Sequence, residues 1–352
     1  MTGDDARKAG SRSGGGASSS HPPLVERLRH LAGSGFFDLP PWGAGSSVER
    51  LDRLAGLARR DLELARLAEA HLDAVTILGE AGRVPHDGAL YGVWASDAPH
   101  ARLEARAVGA GWELSGRKAF CTGTGIVDRA LVTAATGTAV LLIDVAVADG
   151  IDGIDGDGGD WITPAFASTN TSTLTFARQM VSGEAVIGPP DWYLERVGFW
   201  HGALAPAACW AGGAMGLADH TIDACRPSAS GDDHVLARLG TLDAATWELD
   251  AVLGAAGRAI DRDPSDRRIA VDTAYRVRTI VERIATGVID DATRAGGPRL
   301  LAYDRWASQR VAELQLYVRQ HHDRRDHAAL GLRRATRERD RDRGSAAADP
   351  GS

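Results

Sequence analysis

The feature that most constrains the fold is the spacing of apolar residues, which changes twice along the chain. From about residue 22 to 79, leucines recur three and four positions apart, as in an amphipathic helix. From about residue 89 to 187, short alternating or continuous β-branched runs separated by turn residues indicate strands. Helical spacing returns from Trp192 onward. A strand-rich segment between two helical ones predicts an α+β protein.

The positions of Gly, Pro and charged residues divide the chain into five predicted segments. We expect an N-terminal helical domain, a small antiparallel β domain and a C-terminal four-helix bundle. The bundle would contain four long helices, near 190–224, 233–261, 266–293 and 300–330, joined by short connections. The termini are rich in charged and small residues, so we expect them to be disordered. The segments are 1–20 (disordered), 21–88 (N-terminal helical domain), 89–188 (β domain), 189–332 (bundle) and 333–352 (disordered tail).

Composition excludes several classes of function. The 352 residues carry a formal net charge of −7, which argues against a nucleic-acid-binding surface. The three cysteines have no metal-ligand spacing, so we predict no metal site and a reducing, cytoplasmic location. We expect no membrane span, because no apolar run reaches the roughly 18–20 residues that crossing a bilayer requires.

The segment GAGWELSGRKAFCTG, residues 109–123, is the most informative motif. Trp112 and Leu114 alternate with polar residues, and Ser115-Gly116 is a typical turn dipeptide. The pattern predicts a tight hairpin at Ser115-Gly116, followed by a strand that continues extended to a polar end at Thr122.

Three segments of the chain resemble the acyl-CoA dehydrogenase superfamily. Residues 116–123, GRKAFCTG, are similar to its "G-x-K-x-W-I-T" segment. Residues 91–97, YGVWASD, resemble its "T-E-P-x-x-G-S-D" strand, and residues 59–75 resemble an N-terminal helix that approaches the substrate. The order of helices, β domain and bundle is also similar over residues 22–330. The resemblance implies redox chemistry on a bound flavin, with FAD as the expected cofactor.

The same resemblance implies which residues bind the flavin. Thr122 would donate its hydroxyl proton to flavin N5, and Phe120 would stack on the ring where the family has Trp. Arg226 would reach the FAD diphosphate of a neighbouring subunit, although the Phe that follows this Arg in the family is missing. The local alternatives are a Thr that satisfies its own backbone and a helix-terminal charge. The implied cofactor-binding residues are Trp94, Ser96, Phe120, Thr122, Arg226, Gly296 and Gly297.

The carboxylate base of the family is not found at its usual positions. One position falls on Val318, and the other, on the first bundle helix, falls at about Gly202 beside His201. His201 and the cluster QHHDRRDH at 320–327 are the alternatives. There His322 and Asp326 would be neighbours one helical turn apart, and a carboxylate can orient an imidazole. We therefore name His201, His322 and Asp326 as catalytic candidates, against the alternative that the cluster is a solvated helix end.

His71 lies among apolar residues of a predicted helix. In the monooxygenase branch of the superfamily, a His in the N-terminal helices takes part in catalysis, so the resemblance implies that role here. A single His on such a face is more often a core residue with its hydrogen bonds satisfied.

Three functions stay open on the sequence. The first is dehydrogenation of an acyl-thioester, possibly an acyl-CoA, or of a related small molecule. The second is oxygenation with reduced flavin, and the third is a catalytically inactive subunit or scaffold. The resemblance also implies a homodimer or homotetramer, and a flavin reductase or electron-transfer protein as partner.

Overall fold

The structure is a computed structural model, and it describes residues 22–96, 98–147, 154–156, 161–226 and 232–347. The predicted disorder of residues 1–20 falls outside these ranges. The chain begins with three helices whose apolar faces meet in one core, and the third is capped by Asp61, whose carboxylate accepts the Leu64 amide at 3.0 Å. The helices are α1 (Leu24–Gly33), α2 (Ser47–Arg60) and α3 (Leu62–Glu80).

A sheet of eight strands follows, in the order β6-β7-β3-β2-β4-β5-β8, with β1 paired to β4. Both β1 and β2 run parallel to β4, so the sheet is mixed and the prediction of a purely antiparallel β domain is wrong. The strands are β1 (Tyr91–Trp94), β2 (Leu103–Val108), β3 (Gly111–Cys121), β4 (Arg129–Ala135), β5 (Val140–Ala146), β6 (Ile154–Gly156), β7 (Ser172–Ser182) and β8 (Val186–Ile187).

The hairpin turn lies at Gly109-Ala110, between β2 and β3, so its predicted position at Ser115-Gly116 is wrong. Gly116 pairs with Leu103 inside the ladder, and the register against β7 shifts next to it. Its φ is 117°, and a Cβ there would lie 2.3 Å from the carbonyl oxygen of Arg102. The glycine therefore serves a β-bulge with close backbone approach.

Seven α-helices follow the sheet in the described ranges, and three of the sequence predictions for this region are wrong. The single helix predicted near 190–224 is three helices, because it is interrupted at Arg196 and again at Ala203. The single helix predicted for 300–330 is also divided. Residues 300–303 end the helix that begins at Arg267, a second helix runs from Arg305 to Tyr317, and a third begins at Arg324. The last helix also continues to Ala347, into the predicted disordered tail. The helices are α4 (Trp192–Glu195), α5 (Val197–Gly202), α6 (Leu204–Cys225), α7 (Asp233–Arg262), α8 (Arg267–Tyr303), α9 (Arg305–Tyr317) and α10 (Arg324–Ala347).

Helix α6 is the centre of the helical part, because it packs against α2, α3, α7, α8 and α9. Its contact with α2 is made by backbone. A Cβ at Gly212 would lie 2.0 Å from the carbonyl oxygen of Ala55, and one at Gly216 would lie 2.2 Å from that of Arg59. The two helices can therefore keep this distance only with glycine at both positions.

The mixed helix-and-sheet class predicted from the sequence is confirmed, whereas the exact domain boundaries stay predictions. Within the described ranges, none of the helices combines the length and the apolar character that crossing a membrane would need.

We expect Gly212→Ala to lower the free energy of unfolding by about 1–3 kcal/mol, because the added methyl group forces α2 and α6 apart. The control is Gly240→Ala on the exposed side of α7, where a Cβ meets nothing within 4 Å. That substitution should stabilise the helix by about 0.5–1 kcal/mol. Urea unfolding of both variants measures the difference, and equal stabilities would contradict the backbone contact.

Candidate functional site

A cavity of about 540 Å³ lies between α3, the end of β1, helices α5 and α6, α8 and the turn before α10. Its size is typical of small-molecule sites. Carboxyl groups project from α3, and aromatic rings line the wall formed by α4, α5 and α8. A basic side chain comes from α8, and basic side chains and one further carboxyl group come from the turn before α10 and its first residues. These residues are Glu69, Asp73, Tyr193, Phe199, Trp200, Tyr275, Arg278, His322, Arg325 and Asp326.

Two carboxyl groups one helical turn apart, Glu69 and Asp73, face the cavity from α3. The Tyr317 hydroxyl donates to Glu69 Oε1 at 3.2 Å. Burial, with the nearby Asp73 charge, raises the pKa of Glu69 to about 7. A carboxyl group with this pKa can accept or release a proton near neutral pH, as a general base or acid must.

Asp73 lies against the position where the sequence pointed to a missing carboxylate. Burial raises its pKa, and Arg196 Nη2 lies 3.9 Å away. A Cβ at Gly202 would lie only 2.7 Å from Asp73 Oδ1. The carboxylate beside residue 202 thus comes from α3 and not from the first bundle helix.

Sequence reasoning missed both Glu69 and Asp73. The signal for them was available, since apart from His71 they are the only polar residues in the run Leu67 to Val75, and they lie one helical turn apart.

His322 and Asp326, predicted to be neighbours one helical turn apart, both line the cavity. They do not share a helix. His322 lies in the turn before α10, and Asp326 lies in the first turn of that helix. Asp326 Oδ2 accepts the His322 amide at 3.0 Å, while Oδ1 lies 3.7 Å from the His322 ring. Asp326 therefore stabilises the start of α10, in the manner of a capping box. The His322 side chain is 63% exposed, at the cavity mouth.

His201 is buried and does not line the cavity. It packs near Trp42, with the ring centroids 6.3 Å apart. Burial, together with the charge of Arg196, lowers its pKa to about 4, so its imidazole is neutral at neutral pH. The catalytic role predicted for it stays a prediction that no contact with the cavity supports.

Thr122 forms a second cluster of polar contacts at the end of β3. Its Oγ1 accepts hydrogen bonds from Arg66 Nη2 at 3.1 Å and from Thr171 Oγ1 at 3.0 Å. The Arg66 guanidinium lies over the Tyr317 ring, 4.9 Å from its centroid, and Tyr317 donates to Glu69. A chain of direct contacts therefore joins Thr122 to the wall of the cavity.

The backbone around Thr122 is strained. Phe120 and Phe166 both have φ of 58°, and Asn170 has φ of 48°, a conformation that residues other than glycine rarely adopt. The prediction that the strand stays extended to Thr122 is therefore wrong at Phe120. The Phe120 side chain is 54% exposed. Strain concentrated in one place is a reason to look for function there.

The remaining predicted residues lie in different places. Ser96 lines the cavity, whereas Trp94 is buried and its Nε1 donates to the carbonyl oxygen of Thr122 at 3.0 Å. Arg226 is exposed and pairs with Asp223 at 2.6 Å. Gly296 and Gly297 mark a break in α8, where Gly297 has φ of 58°. The structure thus brings Trp94, Phe120 and Thr122 together and Ser96, His322 and Asp326 together, but neither Arg226 nor the two glycines lines the cavity.

His71 is a buried core residue whose ring is hydrogen-bonded to the backbone. Its Nδ1 accepts the Tyr91 amide at 3.0 Å, its ring packs edge-on against Phe37, and burial lowers its pKa to about 4. It does not line the cavity, so the core-residue interpretation describes its contacts. Across the described ranges, His, Cys, Asp and Glu side chains form no group that could hold a metal ion.

Solved structures with a similar fold include two proteins solved with FMN, KijD3 and TdsC. KijD3, in complex with FMN and a dTDP-linked amino-keto sugar, superposes with a TM-score of 0.74 at 16% identity, covering 89% of this chain and 86% of KijD3. The dibenzothiophene monooxygenase TdsC from Paenibacillus sp. A11-2 gives 0.71 at 16% identity over 88% and 94%. The nitrososynthase from Micromonospora carbonacea var. africana gives 0.70 at 19% identity over 83% and 84%.

At these identities the matches show a shared fold alone. No protein-family model and no curated protein matches the sequence.

We expect the contribution of His71 to the free energy of unfolding to fall as the pH decreases from about 6.5 to 4. The unfolded chain protonates His71 in this range while the folded protein does not, so folding is opposed by about 2–3 kcal/mol at the lower limit. His71→Gln, which keeps a hydrogen-bond acceptor, should remove the pH dependence that His71 contributes. The pH dependence that His201 contributes should remain. Unfolding measured across pH, with the exposed His30→Gln as control, tests this. An unchanged pH profile in His71→Gln would contradict it.

Proposed function

We propose that this protein is a flavin-dependent oxidoreductase that oxygenates a small molecule. The observation that carries the proposal is that the Arg66 guanidinium is half-buried and incompletely hydrogen-bonded. Its Nε is buried without a hydrogen-bond partner, and no carboxylate of the described chain forms an ion pair with it. A half-buried cation with an unused N–H group is costly unless a ligand supplies an electron-rich acceptor.

The surroundings of Arg66 fit the isoalloxazine ring of a flavin. This ring is flat and apolar on its faces and carries nitrogen and oxygen acceptors on its edge. The exposed Phe120 ring offers a stacking surface. Thr122 accepts two hydrogen bonds, which leaves its own proton to donate. Phe120, Thr122 and Arg66 are therefore the residues that we propose hold the ring.

A bound flavin would supply electron transfer, which no amino-acid side chain in the site supplies. Arg66 and Glu69 would contribute charge stabilisation and proton transfer. The positive charge of Arg66 favours a group that gains electrons next to it. Through Tyr317, Arg66 also contacts the cavity wall, where Glu69 can take a proton from a substrate or return one.

Oxygenation is the reaction that the structural neighbours favour. TdsC is a dibenzothiophene monooxygenase, and MsuC from Pseudomonas fluorescens is a methanesulfinate monooxygenase, with a TM-score of 0.66 at 17% identity. TdsC and KijD3 were solved with FMN, so FMN is as good a candidate here as FAD. A partner reductase would supply the reduced flavin.

Dehydrogenation of an acyl-thioester, by a divergent acyl-CoA dehydrogenase, is the second candidate. The observation in its favour is that Glu69 and Asp73 face the cavity, because removing the α-proton of such a substrate needs a base. A base on α3 replaces the carboxylates that the superfamily resemblance leads one to expect near Val318 or Gly202.

We expect the purified protein to bind FMN or FAD, and Arg66→Met to weaken the affinity for reduced flavin about tenfold through loss of one charge-assisted contact. Arg60→Met, at the exposed end of α2, is the matched control. Flavin absorbance and fluorescence titrations give both affinities. A folded protein that takes up neither flavin would overturn the proposal and favour the inactive-scaffold interpretation.

Oxygen consumption in the presence of reduced flavin separates the two reactions. Bleaching of oxidised flavin by an acyl-CoA, without oxygen uptake, would select dehydrogenation.

We expect turnover to depend on the ionisation of Glu69, with a limb in the pH–rate profile near pH 7. Glu69→Gln should remove that limb and lower kcat by about 10²–10⁴-fold, the usual share of a general acid or base. Flavin affinity should not change, because Glu69 lies on the cavity side of Tyr317. If Glu69→Gln has the wild-type rate and the wild-type pH profile, Glu69 is not the general acid or base.

A further inference from the structure

Arg278 is a cation in the cavity wall on which the Asp326 and Glu69 carboxyl groups act only from beyond ion-pair distance. It lies on α8, half-buried, and its guanidinium donates to the carbonyl oxygens of Ala203 at 2.9 Å and Gln320 at 2.8 Å. It also stacks over Trp210, 4.6 Å from the ring centroid. No acidic side chain in the described ranges forms an ion pair with it. These contacts fix the orientation of the guanidinium and leave part of its fork unused.

Two of the three acidic groups that line the cavity, Glu69 and Asp326, accept hydrogen bonds, whereas Asp73 Oδ1 is buried without one. Asp73 lies within 3.9 Å of Arg196. Asp326 accepts the His322 amide at 3.0 Å and lies 3.6 Å from the His321 ring. Glu69 accepts the Tyr317 hydroxyl, and burial raises the pKa of Glu69 to about 7. A ligand that enters the cavity therefore meets, in Arg278, a cation held in a fixed orientation with no carboxylate of the described chain within ion-pair distance.

Two further basic side chains line the cavity with Arg278. They are His322 and Arg325, both exposed, and the Asp326 carboxyl group lines the cavity as well. Burial lowers the pKa of Arg278, which means that its charged form is destabilised where it lies, and a bound anion would reverse this. A planar guanidinium held by two carbonyls is well suited to a bidentate contact with a carboxylate.

Beside the charged Arg278, the cavity has an apolar wall of aromatic rings. Tyr275 precedes Arg278 by three residues on α8 and shares its face. The Tyr275 ring lies 5.4 Å from that of Trp200, which contacts Phe199 edge-on at 5.4 Å. These rings form a continuous apolar surface beside the cation, of the kind that binds a flat or apolar body.

Building on the proposed function, we propose that the substrate of this cavity joins an aromatic or apolar body to a carboxylate, and that Arg278 binds the carboxylate. The aromatic wall holds the body, and the carboxylate fixes which end of the molecule points toward Glu69. Arg278 is then a specificity-determining residue of the site.

A comparison of matched probes tests this directly. We would titrate 3-phenylpropanoate, 3-phenylpropanamide and 3-phenylpropylamine into the protein by calorimetry, with and without FMN. The three share one body and differ in charge. We expect the carboxylate to bind about tenfold or more tightly than the amide, because a charge-assisted contact replaces a neutral one. Stronger binding of the amine, or equal affinity of carboxylate and amide, would overturn the proposal, as would no binding of the carboxylate.

The variants separate charge recognition from a structural role. Arg278→Met should reduce the carboxylate-to-amide ratio to about one while amide binding persists. Arg278→Lys should keep part of the preference, since it keeps the charge but loses the planar fork. Arg294→Met, which removes an exposed Arg from the same helix, should behave as wild type. A ratio that survives in Arg278→Met would overturn the proposal.

Flavin binding is measured in parallel, so that the two proposals can fail separately. A protein that binds no flavin but prefers the carboxylate through Arg278 would retain the present inference and lose the proposed redox function. A loss of flavin affinity in Arg278→Met, with an unchanged probe ratio, would instead assign Arg278 to the cofactor and overturn its role toward substrate.

Discussion

The backbone contact between α2 and α6 helps to set the position of the charged groups that α3 brings to the cavity and to the end of β3. Gly212 and Gly216 allow the two helices to touch, and α3 follows α2 after the single residue Asp61. The direction of α3 is therefore fixed by a helix that is itself held against the centre of the protein. Because α3 carries Arg66, Glu69 and Asp73, a rigid packing contact determines where the charged groups lie.

The sequence predicts the helical and strand-rich regions well, because apolar periodicity reports burial directly. It fails where one residue type serves two purposes. Gly116 fits a turn and a bulge equally, and the choice depends on β7, which lies about 60 residues further along the chain. The broken helix after Tyr317 has a similar cause, since its polar residues suit a helix until the cap formed by Asp326 is known.

The candidate site was predictable only in part. Ser96, His322 and Asp326 were named from the sequence and do line the cavity, because they stand out as polar groups at the ends of elements. The groups that carry the proposals, Arg66, Glu69 and Arg278, were not named. An Arg or Glu on a helix is usually solvated, and only tertiary packing shows that these lie half-buried beside aromatic rings.

The approach of Asp73 to Gly202 means that these two positions, far apart in the chain, share one volume. A side chain at 202 could be accommodated only if the carboxylate at 73 became shorter or moved. The two positions are therefore sterically coupled. The Asp73 carboxyl group or a side chain at position 202 can occupy this volume, but the two cannot occupy it together.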